Sequence, residues 1–163
     1  MAGARIGRRE TAKKYRDMEK KPKDQENRTI ILIDTNFLLI PCQFKVDIFS
    51  EINRICRFRY EICILKPTIR ELENIICSAT QKQKAIHKTA AKIALSLIKN
   101  KNINILPAKD TYLDQAILDL IKADNARHKY IIATQDIELK KKLRAQAVGI
   151  ITLRQKKYLI LEE

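Results

Sequence analysis

The residues of this chain best suited to chemistry are four carboxylates: Asp34, Glu71, Asp114 and Asp136. Two of them follow short apolar runs, residues 30–33 and 130–133, the pattern of a strand covered on both faces in a parallel sheet. In open α/β sheets ligands bind beyond the carboxyl ends of the strands, which places Asp34 and Asp136 at the mouth of one crevice. Glu71 and Asp114 lie near the starts of two helical patterns that each follow a strand, and from there both reach the same sheet edge. Four carboxylates brought together repel and raise one another's pKa unless a cation neutralises them. All-oxygen ligation selects Mg²⁺ or Mn²⁺ over zinc, and two such ions can activate a water and stabilise the leaving oxygen of a phosphodiester. Asp34 also has a plainer reading, since a strand-end Asp often only caps the helix after it. Thr35 and Asn36 follow the first strand, as Thr134 and Gln135 follow the later one.

Stepping the acids into place needs a sheet and its flanking helices. Val46, Phe49, Ile52, Ile55 and Cys56 recur at helical intervals and predict a helix over 46–57, with Asp47 placed to cap it. YEICIL at 60–65 reads as a second strand, and Pro67 fits the first turn of the next helix, where a missing N–H costs nothing. That helix turns Ile69, Leu72, Ile75 and Ile76 inward and leaves Glu71 and Glu73 on other faces. A longer helix is expected over 81–99, with Ala90, Ile93, Ala94, Leu97 and Ile98 as its apolar stripe. Residues 103–106 predict a third strand; Tyr112, Leu113, Ala116, Ile117, Leu120 and Ile121 build a helix capped by Asp110. After Asp136 comes a helix with Leu139 and Leu143 inward, then a strand over 150–153 and an edge strand over 158–161. Strands alternating with helices imply one three-layer α/β/α domain with a central, mostly parallel sheet, the strands of Asp34 and Asp136 adjacent at its centre.

The chain holds 33 Lys and Arg against 19 Asp and Glu, a net charge of +14. This exceeds what solubility requires and points to a polyanionic partner, nucleic acid first. No apolar run approaches the ~20 residues of a membrane span and no signal-peptide core follows Met1, so a soluble intracellular protein without membrane attachment is expected. Cys42, Cys56, Cys63 and Cys77 form no C-x-x-C pair, and three of the four lie in apolar patterns and read as buried thiols. With only His87 and His128 besides, zinc has few ligands. Residues 1–28 are dominated by charge and read as a basic flexible extension with Arg5, Arg8, Arg9, Lys13 and Lys14 free to contact phosphates. A solvated tail fits the same composition.

The order ILIDTN, RELE, TYLDQAI, IIATQDIEL and, after a basic helix, VGIITLRQKKYL resembles the PIN-domain ribonucleases from Thr29 to about Leu161. Within that family the likeness is to the small archaeal and eukaryotic branch that includes the small-subunit ribosomal-RNA-processing protein. The resemblance implies a PIN-like nuclease domain over 29–163 and a Mg²⁺- or Mn²⁺-dependent endoribonuclease acting on RNA phosphodiesters in ribosomal RNA processing. Carried over by position, Asp34, Glu71, Asp114 and Asp136 are its catalytic and metal-ligating acids. Thr134 is the hydroxyl that orients the first Asp, and Asn36 completes the DTN signature. Ribosomal RNA or a pre-ribosomal particle is then the partner, in the cytoplasm of an archaeon or the nucleolus of a eukaryote. Two other readings share the motifs: a non-catalytic RNA-binding or ribosome-assembly protein on a PIN fold, and a toxin-type PIN ribonuclease. A dehalogenase-like phosphatase would need an acid where this chain has Asn36, and a phospho-receiver an acidic pair before its nucleophile strand.

The remaining acids read as structural. Glu73, Asp119 and Asp124 fit surface charges, and Tyr112, within an apolar stripe, fits the core better than a base-stacking platform.

Overall fold

The computed structural model of the protein describes residues 28–78, 82–109, 111–124 and 129–163, without the side chains of 82–84. Arg5, Arg8, Arg9, Lys13 and Lys14, with all of the proposed extension except Arg28, lie outside the described residues, as do Asp110 and His128.

Strand β1 (Thr29–Ile33) is buried along its whole length, as an uninterrupted apolar run requires. It lies near the middle of a six-stranded sheet of order β3-β2-β1-β4-β5-β6, built with β2 (Tyr60–Leu65), β3 (Asn104–Leu106), β4 (Lys129–Ala133), β5 (Gly149–Arg154) and β6 (Tyr158–Glu162). β1 pairs in parallel with both β2 and β4, with Ile31 opposite Ile62 on one side and Ile131 on the other. Among the described strands only the β5–β6 pairing is antiparallel.

Because successive side chains of a strand point to opposite faces, β1 divides between two cores. Ile31 and Ile33 join the larger one, with Phe37, Ile48, Leu72, Ala90 and Ile98 from the helices α1 (Thr35–Leu38), α3 (Ile48–Ile55), α4 (Lys66–Ser78) and α5 (Lys82–Asn100). Ile30 and Leu32 join the other, with Leu113 and Ile117 of α6 (Leu113–Ala123) and Leu139 and Leu143 of α7 (Ile137–Arg144). The result is the expected three layers.

Five details depart from the sequence reading. Two short helices, α1 and α2 (Ile40–Phe44), occupy the segment after Asp34, and left-handed Lys45 (φ 57°) ends α2. The next helix, α3, therefore starts at Ile48 rather than at residue 46, where the Asp47 carboxylate accepts from the amides of Phe49 and Ser50, each at 3.1 Å. On α5 the buried face is Ala90, Ala91, Ala94 and Ile98; Ile93 is 40% exposed, because the small alanine face is the one set against α4 and α2. Of the cysteines only Cys56 and Cys63 are buried, and Cys77 is exposed. Tyr112 is 87% exposed, since α6 begins at Leu113 and the apolar stripe starts there. Asp124, read as a surface charge, is half-buried and takes a hydrogen bond from the Tyr130 phenol, which with burial pushes that phenol up to about 12.

Candidate active site

The pairing of β1 with β4 sets Ile33 opposite Ala133, so the chain leaves both strands side by side at Asp34 and Thr134. The Asp34 amide continues the ladder to the Ala133 carbonyl at 3.0 Å, and the Thr134 amide does the same to Ile151 at 3.1 Å. The fully buried Thr134 hydroxyl then ties the two strand ends together. It donates to Asp34 Oδ2 at 2.8 Å and accepts from the Asp136 amide at 3.1 Å.

Asp34 stands at the N-cap position of α1, yet its carboxylate makes no capping hydrogen bond to that helix. It is 4% exposed, and its pKa rises from an ordinary 3.8 to about 6. Burial is the main cause; the negative charges of Asp114 and Glu71 add to it, while the Thr134 hydroxyl and the Thr35 amide oppose it by favouring the ionised form. Glu71 reaches the same place from α4, where its carboxylate accepts the buried Thr35 hydroxyl at 2.5 Å. Asp114, in the first turn of α6, is half-buried; its carboxyl is raised by desolvation first and by Asp136 second, with Lys142 opposing. The four acids named from the sequence thus form one electrostatic group. Asp34 feels Asp114 and Glu71, and Asp114 feels Asp136. Asn36 is exposed at the edge of the group, and Glu73 is exposed on α4.

Asp136 is the acid that does cap a helix. Its Oδ1 accepts the Leu139 amide at 2.7 Å. The residue before it, given no role from the sequence, has a structural task. Gln135 Oε1 accepts the Leu153 amide at 2.9 Å while its Nε2 donates to the Leu153 carbonyl at 3.3 Å, so the side chain pairs with β5 as a strand residue would. Thr152 donates to the same Oε1 at 2.6 Å, and Lys140 Nζ donates to Thr152 at 2.5 Å. Burial, the largest influence, holds the Lys140 ammonium below the usual lysine range. This network anchors the turn that carries Asp136. Its partners lie 12 to 18 residues away in the chain, and no local pattern announces it.

As a cation site the donor set is chemically apt but not closed. No three His, Cys, Asp or Glu side chains among the described residues converge as the ligands of one ion do. Glu71 and Asp136 are turned to Thr35 and to the Leu139 amide. The oxygen-only donors and the cost of ionising buried Asp34 beside Asp114 and Glu71 are nonetheless what a hard divalent cation relieves. No described helix is long and apolar enough to cross a membrane.

A family model described as a PIN-like domain matches residues 31–156, which contain all four acids. The chain is 38% identical over 128 residues to ribonuclease VapC4 of Methanocaldococcus jannaschii, covering 78% of this chain and 92% of that protein. It is 29% identical over 117 residues to the rRNA-processing protein fcf1 of Schizosaccharomyces pombe, covering 70% of this chain but only 53% of that one. The structure of the PIN domain endonuclease Utp24 shares the fold, with a TM-score of 0.64 at 24% identity over 82% of this chain and 90% of that one. With the model spanning most of its length and a relative aligned almost end to end, the chain belongs to the PIN-like domain family.

Proposed function

We propose that this protein is a metal-dependent endoribonuclease that hydrolyses RNA phosphodiesters, with ribosomal RNA as its substrate. The observation that carries the reading is Asp34, a buried carboxyl raised to about 6 by its surroundings and bracketed by Asp114 and Glu71 at the carboxyl ends of two central parallel strands. Perturbed acids of this kind, in a crevice and with named charge partners, mark catalytic sites. Asp34, Glu71, Asp114 and Asp136 are the residues that would hold a divalent cation. When bound, Mg²⁺ or Mn²⁺ supplies a water acidified enough to attack phosphorus and positive charge for the departing oxygen.

The chain's own residues do the positioning. Thr134 ties the two strand ends together by donating to Asp34, and it steadies its own turn by accepting the Asp136 amide. Thr35 does the same for Glu71. Gln135 fixes the Asp136 turn to β5. The net charge of +14 draws the polyanion toward an acidic crevice it would otherwise avoid, and residues 1–28 add phosphate contacts from Arg5, Arg8, Arg9, Lys13 and Lys14. Support for a ribonuclease comes from the VapC4 likeness, and support for ribosomal RNA from fcf1, of which this chain spans about half.

The test is cleavage of a short RNA spanning the mature end of small-subunit ribosomal RNA, with Mn²⁺ and with EDTA, beside an unrelated RNA of equal length. Cleavage that requires Mn²⁺ and favours the ribosomal end is expected. Equal cutting of both RNAs turns the assignment to a broader ribonuclease, and binding without cutting turns it to the assembly-protein reading. Deleting residues 1–28 is expected to weaken binding and flatten its salt dependence; an unchanged slope makes the extension a solvated tail.

A further inference from the structure

Beside the acids lies a cleft of about 770 Å³ with no assigned role. Asn36 and Asp136 form the edge it shares with the acidic group, while Leu39, Ile40 and Phe44 of the α1–α2 segment and Ile75 of α4 give it an apolar wall. His87 of α5 and Ile137, the first residue of α7, line it as well. Ile137 is 69% exposed although it immediately follows Asp136, and His87 is exposed as well. Glu138, also on the cleft, is ion-paired with Lys141 at 3.1 Å.

At the Phe44 end a cation sits over the wall. Lys156 Nζ lies 5.7 Å from the centre of the Phe44 ring. It is delivered by the hairpin turn between β5 and β6, where Gln155 and Lys156 both adopt left-handed backbone (φ 50° and 56°). Left-handed positions in hairpin turns favour Asn and Gly, so lysine at this place carries a modest backbone cost.

Resting on the ribonuclease reading, we propose that this cleft receives one unstacked nucleobase of single-stranded RNA next to the phosphate at the acids, with Lys156 contacting the phosphate on the far side of that nucleotide. Three observations select this occupant. The cleft is continuous with the acidic group through Asn36 and Asp136, so a chain lying across the acids must pass it. Its wall is apolar, and Lys156 stands over the ring of one residue of that wall, Phe44, which suits a nucleotide with a flat π-face and an anionic link. The chain as a whole is strongly basic. A base inside an A-form duplex is stacked and cannot enter, so the site selects single strands, loops or frayed ends.

The experiment measures binding of a 12-nucleotide single-stranded RNA to the full chain in EDTA, with an abasic residue stepped through each position. One position is expected to lose about tenfold in affinity when its base is removed, within the range that base stacking supplies. That penalty should collapse in the double variant Ile137→Ser/His87→Ala, both exposed positions, and persist in Ile105→Ser, an exposed apolar residue on β3 outside the cleft. Lys156→Gly should raise the melting temperature by relieving the turn, yet weaken RNA binding several-fold and reduce the salt slope by a little under one. A uniform abasic scan, a penalty unchanged in the double variant, duplex bound as tightly as single strand, or no RNA binding each overturns the proposal. Mn²⁺-dependent cleavage of the unmodified RNA, assayed in parallel, separates it from the reading beneath it. Cleavage with a uniform scan removes the base site alone, and a position-specific penalty without cleavage removes the nuclease alone.

Discussion

Asp34 and Asp136 occupy equivalent places, each at the N-cap position of a helix that leaves one of two adjacent central strands, yet they are held by opposite physics. Asp136 is half-buried and its carboxylate is used by the helix, whose Leu139 amide donates to it at 2.7 Å. Asp34 is 4% exposed, makes no capping bond to its helix, and is pressed between burial and two other acids until its pKa reaches about 6. The difference lies in the helices that follow. α7 is a full amphipathic helix whose first amides need an acceptor, whereas α1 is four residues long and buries Thr35, Phe37 and Leu38, which turns the Asp34 carboxylate toward Thr134 instead. The same local device serves stability at one strand end and stores electrostatic cost at the other.

The largest expected effect falls on chemistry, where the two acids should agree. Asp34→Asn and Asp136→Asn are each expected to lower Mn²⁺-dependent RNA cleavage by about a thousandfold or more while RNA binding persists, because a negative charge facing phosphate has been removed. Cleavage retained by either variant in a single-turnover assay would take that acid out of the site.

Stability is where they should part. In EDTA, carrying Asp34 from 3.8 to about 6 corresponds to roughly 3 kcal/mol at most. The folded state holds this proton after the unfolded chain has released it, so its contribution is present below pH 3.8 and is lost as the pH rises through about 6. Urea unfolding of the metal-free protein between pH 4 and 7 should show that loss, and Asp34→Asn should not; parallel curves for the two proteins would contradict the assignment of the raised pKa to Asp34.

Thr134→Val removes the hydroxyl that both strand ends share. It is expected to cost about 1–3 kcal/mol, since Asp34 and the Asp136 amide each lose a buried partner, and to move the Asp34 titration further up in pH. A titration that stays in place on calorimetric or NMR measurement would show that the hydroxyl does not tune Asp34.

The smallest effect is the cap itself. Asp136→Ala should lower stability by about 0.5–2 kcal/mol in EDTA, as should Asp47→Ala at the start of α3, but only the former should change Mn²⁺ affinity by calorimetric titration. A stabilising Asp136→Ala would erase the contrast with Asp34.

Periodicity and strand-end position were enough to place the central strands because those strands bury their own apolar patterns: the 60–65 strand matches residue for residue, and β1 and β4 lie adjacent as two doubly covered runs should. The helix stripes were less legible. On α5 an alanine-rich face competes with Ile93 and Leu97, and which one turns inward depends on how closely α4 and α2 approach, which no single-helix pattern contains. Tyr112 misled for a related reason, since the apolar spacing extended one residue ahead of Leu113, where α6 begins.

The sequence by itself determined that four acids stand where strands end and helices begin, that two of the strands are central, and that the surrounding charge favours a polyanion, because composition, period and order in the chain are local or additive properties. Tertiary structure alone decided which strand-end Asp caps and which is forced toward neutrality, that Glu71 turns to Thr35, that Gln135 substitutes for a strand residue against Leu153, and that Lys156 lies over Phe44. Apart from the Asp136 cap itself, these depend on distances between residues from 18 to 112 positions apart in the chain. Burial and Coulomb interaction act through space, and the one-dimensional pattern carries no record of those separations.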